Sequence, residues 1–238
     1  MELRFALDVY NPAEYYSALG LLELASQQHD EVLSQFESDD TTGANSTFVL
    51  LTDKEIMLRD LRLLTVTALE YKDPLIAPVV FEGSLELNWW MNQFRNGKSH
   101  LKLWAGNCRP VDMLKTFQKV MGEANGAMLQ HSVKVKTGKS SFGFDTRARR
   151  DALAVGYSQK EAADPSAIYP ETEFLCAIGL QNFRPVKDSY CIWKRFVPVS
   201  VAHAAAVQEV AGLRQSRYTM TIAFVGQGLR AVSQVTKG

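Results

Sequence analysis

The spacing of hydrophobic and polar positions predicts a chain in which strands alternate with helices. LRFALDV, residues 3–9, alternates apolar and polar side chains as a half-buried strand does. Asn11 and Pro12 follow as an N-cap and a proline at the first helical position. We therefore expect a helix from there to about Gln28, with a wide apolar face.

The rest of the chain predicts one acidic loop and several further elements. Residues 30–44 are acidic and rich in Ser and Thr, which is typical of a loop. Further strands are predicted at 46–52, 132–136, 191–199 and 217–225, and further helices at 53–64, 110–124, 170–183 and 201–213. These elements predict an α+β fold, with an antiparallel sheet and several packed helices. Both 1–129 and 130–238 are α+β regions, and the two could form one compact domain.

Strands dominate residues 65–107, where LELNWWM and HLKLW flank an Asn-Gly pair typical of a hairpin. A two-residue turn at Asn96-Gly97 would put the apolar residues of the two strands on opposite faces. A three-residue loop, 96–98, restores one apolar face, so the parity of the pattern favours it. This arrangement predicts Arg95, Lys98 and His100 near the hairpin tip.

The chain contains one internal similarity. EYYSALGL, residues 14–21, aligns without a gap onto EFLCAIGL, residues 173–180, and each run follows a proline. A glycine inside a helix costs about 1 kcal/mol against alanine, so Gly20 and Gly179 at one register indicate close backbone packing against a strand. A duplicated βα element, giving two related βα halves, explains the similarity. The alternative is coincidence between two amphipathic helices, and either reading indicates packing rather than catalysis.

Composition and charge narrow the possible partners and compartment. Lys and Arg together number 26, as do Asp and Glu, so any nucleic-acid binding must be local rather than due to net charge. The chain shows neither a leader pattern nor an apolar run of membrane-spanning length, so we expect a soluble cytoplasmic protein without a membrane partner. Three cysteines, odd in number and widely spaced, predict small core residues rather than a disulfide framework or a zinc knuckle.

Linear motifs for catalysis are incomplete. Residues 137–140, TGKS, resemble the end of a phosphate-binding loop, but that loop requires glycine where Val133 stands. His29-Asp30 resembles a metal-dependent phosphohydrolase dipeptide, yet the sequence offers no further histidines or carboxylates at ligand spacing. We therefore expect no enzyme activity, no cofactor and no metal.

One segment, 134–150, combines positive charge with aromatic side chains. Its cations are Lys134, Lys136, Lys139, Arg147, Arg149 and Arg150. Such clusters bind phosphate backbones, and Phe142 or Phe144, freed by a bend at Gly143, could stack on unpaired bases. The alternative is a solvated loop whose two phenylalanines lie in the core. The predicted hairpin tip, with Arg95 and Lys98, is a second and weaker candidate of the same kind.

Several of these residues also carry a resemblance to a known family. The runs are Asn11-Pro12, GLLELA at 20–25, FGFDTR at 142–147, DAL at 151–153, GYS at 156–158, Tyr169-Pro170, Glu173, AIGLQ at 177–181 and FRP at 183–185. Together they resemble a CRISPR-associated protein family of subtype I-G loci, formerly called I-U. The resemblance covers both ends of the chain and much of its C-terminal half, whereas residues 30–129 add little.

The resemblance implies a non-catalytic subunit of a CRISPR RNA-guided surveillance complex (Cascade), in a large-subunit-like role. In such complexes guide pairing reads the target, while protein subunits hold the nucleic-acid backbone. The expected partners are crRNA or target DNA and the other Cascade subunits. One alternative is a scaffold subunit that contacts only protein. Another is a guide-processing enzyme, which would need a general acid or base such as His29, His100 or His131.

Overall fold

In the part of the chain that the structure describes, three α-helices lie among small antiparallel sheets, which confirms the expected α+β class. The computed structural model of the chain describes residues 1–29, 31–38, 46–52, 61–92, 97–104, 108–122, 127–135, 141–147, 166–193, 197–198, 216–226 and 229–238. In these residues the helices are α1 (Pro12–Ser26), α2 (Pro110–Val120) and α3 (Pro170–Asn182), each starting at a predicted proline. Of the helices in the described residues, none is both long and apolar enough to cross a membrane.

The strands of the described residues pair antiparallel throughout. They are β1 (Glu2–Leu7), β2 (Val32–Ser38), β3 (Ser46–Thr52), β4 (Val66–Ala68), β5 (Val79–Phe81), β6 (Leu85–Leu87), β7 (Met91–Asn92), β8 (Gly97–Lys98), β9 (Val133–Val135), β10 (Ser166–Ile168), β11 (Ser189–Ile192), β12 (Val197–Pro198), β13 (Ser216–Gly226) and β14 (Leu229–Lys237). Their orders are β1-β3-β2-β12, β4-β5-β6 and β11-β13-β14, with β9 paired to β10 and β7 to β8.

Helices α1 and α3 pack against each other at the centre of the core. Residues 12–25 of α1 and 170–180 of α3 are buried. Gly20 lies against the backbone of Leu175, and Gly179 lies against the backbone of Tyr16. The predicted close approach is therefore present, but each glycine packs against the other helix and not against a strand. The two similar runs contact each other reciprocally, and their origin as two related halves stays a prediction.

Buried residues from 1–129 and from 130–238 belong to one core. Phe81 packs edge-on against Phe174 with ring centroids 5.2 Å apart. The indole nitrogen of Trp89 donates a hydrogen bond of 2.9 Å to the carbonyl oxygen of Ala177. All three cysteines are free and buried, which confirms their predicted role as small core residues.

Part of the predicted acidic loop is a strand. Residues 32–38 form β2, which pairs with β3 so that Phe36 lies opposite Phe48. Val32 and Phe36 are buried, and this sparse apolar pattern was hidden by the surrounding polar composition. Strand pairing with an apolar neighbour therefore prevailed over the loop propensity of Ser and Asp.

Only a short form of the hairpin predicted at 85–104 is present, and the predicted loop at 96–98 is wrong, because Gly97 and Lys98 belong to β8. Strands β7 and β8 contain two residues each and pair Met91 with Lys98, while β6 pairs with β5 instead. The reason lies in Trp89 and Trp90, which are both fully buried. Their indole nitrogens donate in different directions, to the carbonyl oxygens of Ala177 and Ile76. Consecutive buried residues are incompatible with the alternation of a half-buried strand.

Two other predictions are changed in detail, and a third falls outside the described residues. Of the helix expected at 53–64, residues 61–63 form a single 3-10 turn and 53–60 lie outside the described residues. The strand expected at 191–199 is divided between β11 and β12, which belong to different sheets. The helix expected at 201–213 lies outside the described residues. The C-terminal strand β14 was not predicted, because its apolar residues are few and polar side chains dominate it.

Candidate functional site

The segment Ser141–Arg147 lies across the N-terminal ends of α1 and α3. The side chain of Glu173 accepts hydrogen bonds from the Phe142 backbone N–H, at 2.8 Å, and from the Ser141 hydroxyl, at 2.6 Å. On the α1 side, the Asn11 amide donates to Asp145 at 3.0 Å, and its oxygen accepts from the Thr146 N–H at 3.2 Å. The segment is therefore fixed at both of its ends by polar side chains from the two helix starts.

Phe142 and Phe144 belong to the core. Both rings are 0% exposed. Phe142 packs edge-on against Trp104 with ring centroids 5.2 Å apart, and Phe144 packs against Trp89 at 5.8 Å. Gly143 adopts a φ of 94°, so the predicted bend is present, but it turns both rings inward. In this structure neither ring can stack on a base, and the arrangement matches the alternative of a loop with core phenylalanines.

Arg147 is engaged inside the protein. Its guanidinium lies 2.8 Å from a carboxylate oxygen of Glu14 and 2.8 Å from one of Asp145. The guanidinium also stacks over the Tyr169 ring, 3.5 Å from the ring centroid. Only 15% of the Arg147 side chain is exposed, so its charge does not face solvent as the phosphate-contact hypothesis requires.

The electrostatics of this cluster follow from burial and pairing. Burial raises the pKa of Glu14 above its ordinary value, although the charge of Arg147 and hydrogen bonds from Asp8 and Asn11 lower it. Burial lowers the pKa of Arg147, but its hydrogen bond to Asp145 and the charges of Asp145 and Glu14 outweigh that effect and raise it overall. The N-terminus of α1 favours the nearby carboxylates further. The cluster is a buried charge network that joins three segments of the chain.

A second polar group involves His131. Its Nδ1 lies 2.8 Å from the buried carboxylate of Glu171, which also accepts a hydrogen bond of 2.6 Å from the backbone N–H of Gly122. The His131 side chain is 38% exposed. A carboxylate that holds one ring nitrogen can orient a histidine for proton transfer. A guide-processing enzyme would need a general acid or base of this kind. Separately, the described residues contain no group of three or more His, Cys, Asp and Glu arranged for a metal ion.

The remaining predicted site residues are scattered. Lys134 is exposed on β9, opposite Ala167 of β10, and Lys98 is exposed on β8, opposite Met91. Five predicted residues lie outside the described residues, namely Arg95, Lys136, Lys139, Arg149 and Arg150. Of the five predicted residues that the structure describes, Phe142, Phe144 and Arg147 lie in one segment, and all three side chains are turned inward.

Sequence reasoning missed the acidic partners of the segment and one arginine. Glu14, Asp145 and Glu173 form the polar contacts described above. For Glu14 and Glu173, the available signal was a charged residue inside a helix that is buried all round. Arg184 follows α3 and donates to the Asn88 side chain at 3.1 Å. It stands in the FRP run that contributed to the resemblance, but charge counting alone did not distinguish it from other arginines.

The comparisons with known proteins supply no related structure with which the geometry of the site can be compared. Comparisons with protein-family models, with curated proteins and with solved structures found no match for this chain. The resemblance in its sequence therefore stays a prediction.

Proposed function

We propose that the chain is a non-catalytic subunit of a type I CRISPR RNA-guided surveillance complex, in which it contacts crRNA or target DNA. The proposal begins from the resemblance of separate sequence runs to a subtype I-G family. Its partners are the nucleic acid and the neighbouring protein subunits, and it assigns no chemistry to the chain itself.

The observation that carries the proposal is that four of the runs with the resemblance meet at one place in the described part of the chain. Asn11 bonds to Asp145 at 3.0 Å, and the Arg147 guanidinium stacks on Tyr169 at 3.5 Å. Phe142 is bonded to Glu173 at 2.8 Å. Scattered runs that are alike only by chance have no reason to converge. Convergence is expected when the runs specify a shared fold, and this supports a family relationship rather than coincidence.

In this proposal the buried cluster holds the segment in place and flanking cations contact phosphate. Arg147 anchors the segment from inside, as its two carboxylate partners indicate. The cations proposed to contact phosphate are Lys134, Lys136, Lys139, Arg149 and Arg150. Their contribution is electrostatic, so binding must weaken as salt rises.

A second candidate function is that of a scaffold subunit that contacts only other proteins. The inward placement of Phe142, Phe144 and Arg147 favours it, because the side chains most suited to nucleic acid are occupied within the chain. In that case the flanking cations would bind acidic surfaces on neighbouring subunits.

The test is to co-express the tagged chain with its genomic neighbours and a guide array. Size exclusion then shows whether it elutes in a large particle with a discrete short RNA. If it elutes alone and free of RNA, the proposal fails. A variant with the five flanking cations changed to glutamine separates the two candidates, since loss of RNA from an intact particle indicates nucleic-acid contact and loss of the particle indicates scaffolding. Lys115 and Lys119, exposed on α2, supply a control for neutralising distant charge.

A further inference from the structure

The segment that follows α3 presents an arginine held by amide side chains. Arg184 donates to Asn88 Oδ1 at 3.1 Å. The same oxygen accepts from the Gln181 side chain at 3.3 Å, and the Asn88 backbone N–H donates to Gln181 Oε1 at 2.9 Å. The two amides bond to each other, so they form a fixed framework that orients the guanidinium without neutralising it.

Among the described residues, Arg184 differs from the ion-paired arginines in having no carboxylate partner. Arg4, Arg109 and Arg147 each pair with a carboxylate. Within the described residues, Arg184 has no carboxylate at ion-pair distance, and partial burial lowers its pKa. A cation that is partly desolvated and uncompensated is stabilised when an anion approaches it. Its environment is therefore suited to an external anion.

A strained turn places another cation beside it. Val186 and Ser189 exchange two backbone hydrogen bonds of 3.0 Å, which closes a two-residue hairpin turn over Lys187 and Asp188. These two residues have φ values of 51° and 58°. Such a turn favours Asn, Asp or Gly, so Lys187 is the strained residue of the two. Strain of this kind is retained most often at functional sites, and here it holds an exposed lysine at the tip.

Contacts between two segments bring Lys98 and His100 to the same region. His100 Nε2 lies 3.0 Å from the Asp188 carboxylate in the strained turn. The carbonyl oxygen of Asn88 accepts a hydrogen bond of 2.9 Å from the Met91 N–H, and Met91 pairs with Lys98. The acids of this region are Glu86, which accepts from the Asn88 amide, and Asp188. Lys98, Arg184 and Lys187 therefore belong to segments that contact one another, and the two carboxylates named here each accept a hydrogen bond from another side chain.

We propose that Lys98, His100, Arg184 and Lys187 form a surface, the Arg184 surface, that binds the phosphodiester backbone of a nucleic acid. The inference rests on the proposed function and gives that function a contact site outside the 134–150 segment. Arg184 supplies the fixed, planar donors that match phosphate oxygens, and the two lysines supply mobile charge on either side. Contacts to phosphate oxygens carry no sequence information, so the surface binds nucleic acid independently of sequence.

The test measures fluorescence anisotropy of a labelled single-stranded RNA, and of DNA with the same sequence, titrated with the full chain over a salt series. The variant K98Q/R184Q/K187Q removes three charges. The control K72Q/K115Q/K119Q removes three exposed lysines elsewhere. We expect the first variant to lose about 10- to 100-fold in affinity at low salt and to have a salt slope smaller by about 2 to 3, with the control near wild type. The RNA and DNA arms identify which nucleic acid the surface prefers.

The single change R184K distinguishes a fixed guanidinium from a general charge. It keeps the cation but loses the planar donors, so we expect an affinity loss of about 3- to 10-fold. Equal urea midpoints for wild type and variants exclude unfolding as the cause. Wild-type affinity and slope in the triple variant would overturn the Arg184 surface and leave the proposed function standing. Failure of the wild-type chain to bind either nucleic acid would overturn both. In the co-expressed particle, a triple variant that keeps RNA but loses its protein neighbours would mark the surface as a protein contact, which also overturns the inference.

Discussion

The backbone of Gly179 packs so closely against the carbonyl oxygen of Tyr16 that a β-carbon at residue 179 would lie 2.0 Å from that oxygen. The reciprocal contact is nearly as close, since a β-carbon on Gly20 would lie 2.2 Å from the carbonyl oxygen of Leu175. Both distances are to backbone atoms, which cannot rotate away as a side chain can. The separation of α1 and α3 therefore depends on the absence of a β-carbon at both glycines.

Alanine at either position should separate the two central helices. We expect Gly179→Ala and Gly20→Ala each to lower the free energy of unfolding by about 3 kcal/mol or more. This is the upper end of the usual cost of overpacking a core. Gly83→Ala is the comparison, because nothing lies within 4 Å of its position and only its φ of 73° is unfavourable, which costs about 1 kcal/mol. Urea unfolding measures all three, and equal losses at 179 and 83 would contradict the close packing.

The internal similarity of 14–21 and 173–180 predicted the close approach but not its partner. A glycine at a shared register shows that something lies near the backbone, and nothing in a single sequence says what that is. The starts of the three helices were predictable because Pro12, Pro110 and Pro170 restrict the chain locally. Strand pairing was less predictable, since Trp89 and Trp90 are both buried for reasons that arise only from the tertiary structure.

The candidate segment was chosen from its sequence, but the orientation of its side chains was not predicted. Positive charge and aromatic rings between 134 and 150 singled out this segment, and its contact with nucleic acid stays a prediction. Whether Phe142 faces water or the core depends on Trp104 and Phe117, which pack around it from other parts of the chain. The partners of Arg147 are equally distant in sequence, because Glu14 approaches only when α1 and the segment come together. Such contacts leave no signal in local composition.

Removing the charge of Arg147 should destabilise the fold. Arg147→Met leaves the Glu14 and Asp145 carboxylates buried without their cation, and breaking a buried pair in this way costs about 3–5 kcal/mol. Arg147→Lys is the control, since it keeps the charge while losing the fork and the stacking on Tyr169. Urea unfolding should rank the three proteins as wild type, then Lys, then Met. A Met variant as stable as wild type would show that the network contributes nothing to folding.

The loss of unfolding free energy caused by Arg147→Met should also depend on pH. Burial raises the pKa of Glu14 above its ordinary value of 4.5, and the charge of Arg147 opposes that rise, so the variant should raise the pKa further. A carboxyl with a higher pKa in the folded state binds more protons when folded, so stability is lost as pH rises from the unfolded pKa through the folded one. The deficit should therefore grow in a pH series from about 4.5 upward. A deficit independent of pH would exclude Glu14 as its source.

Loss of the rings in the 142–147 run should affect stability and leave nucleic-acid affinity unchanged. Phe142→Leu and Phe144→Leu keep an apolar side chain in the core and should lower the free energy of unfolding by less than about 1.5 kcal/mol. A ring stacked on a base contributes about 1–3 kcal/mol to binding, so a stacking role would appear as a large loss of RNA affinity. Phe117→Leu is the matched control, because that ring packs 5.7 Å from Phe142 and lies outside the run. Anisotropy with a short RNA distinguishes the two outcomes.

Three buried tyrosines that contact one another differ in the hydrogen bonding of their hydroxyl groups. The hydroxyls of Tyr15 and Tyr190 donate to the carbonyl oxygens of Cys191 and Val9, at 2.7 and 2.6 Å, whereas that of Tyr16 has no hydrogen-bond partner among the described residues. Removing an unsatisfied buried hydroxyl relieves a desolvation penalty, so Tyr16→Phe should be neutral or stabilise by about 1 kcal/mol. Tyr15→Phe and Tyr190→Phe leave a carbonyl unpaired and should each destabilise by about 1–3 kcal/mol. Urea midpoints compare the three, and a Tyr16→Phe loss as large as that of Tyr190→Phe would mean that this hydroxyl is satisfied in solution.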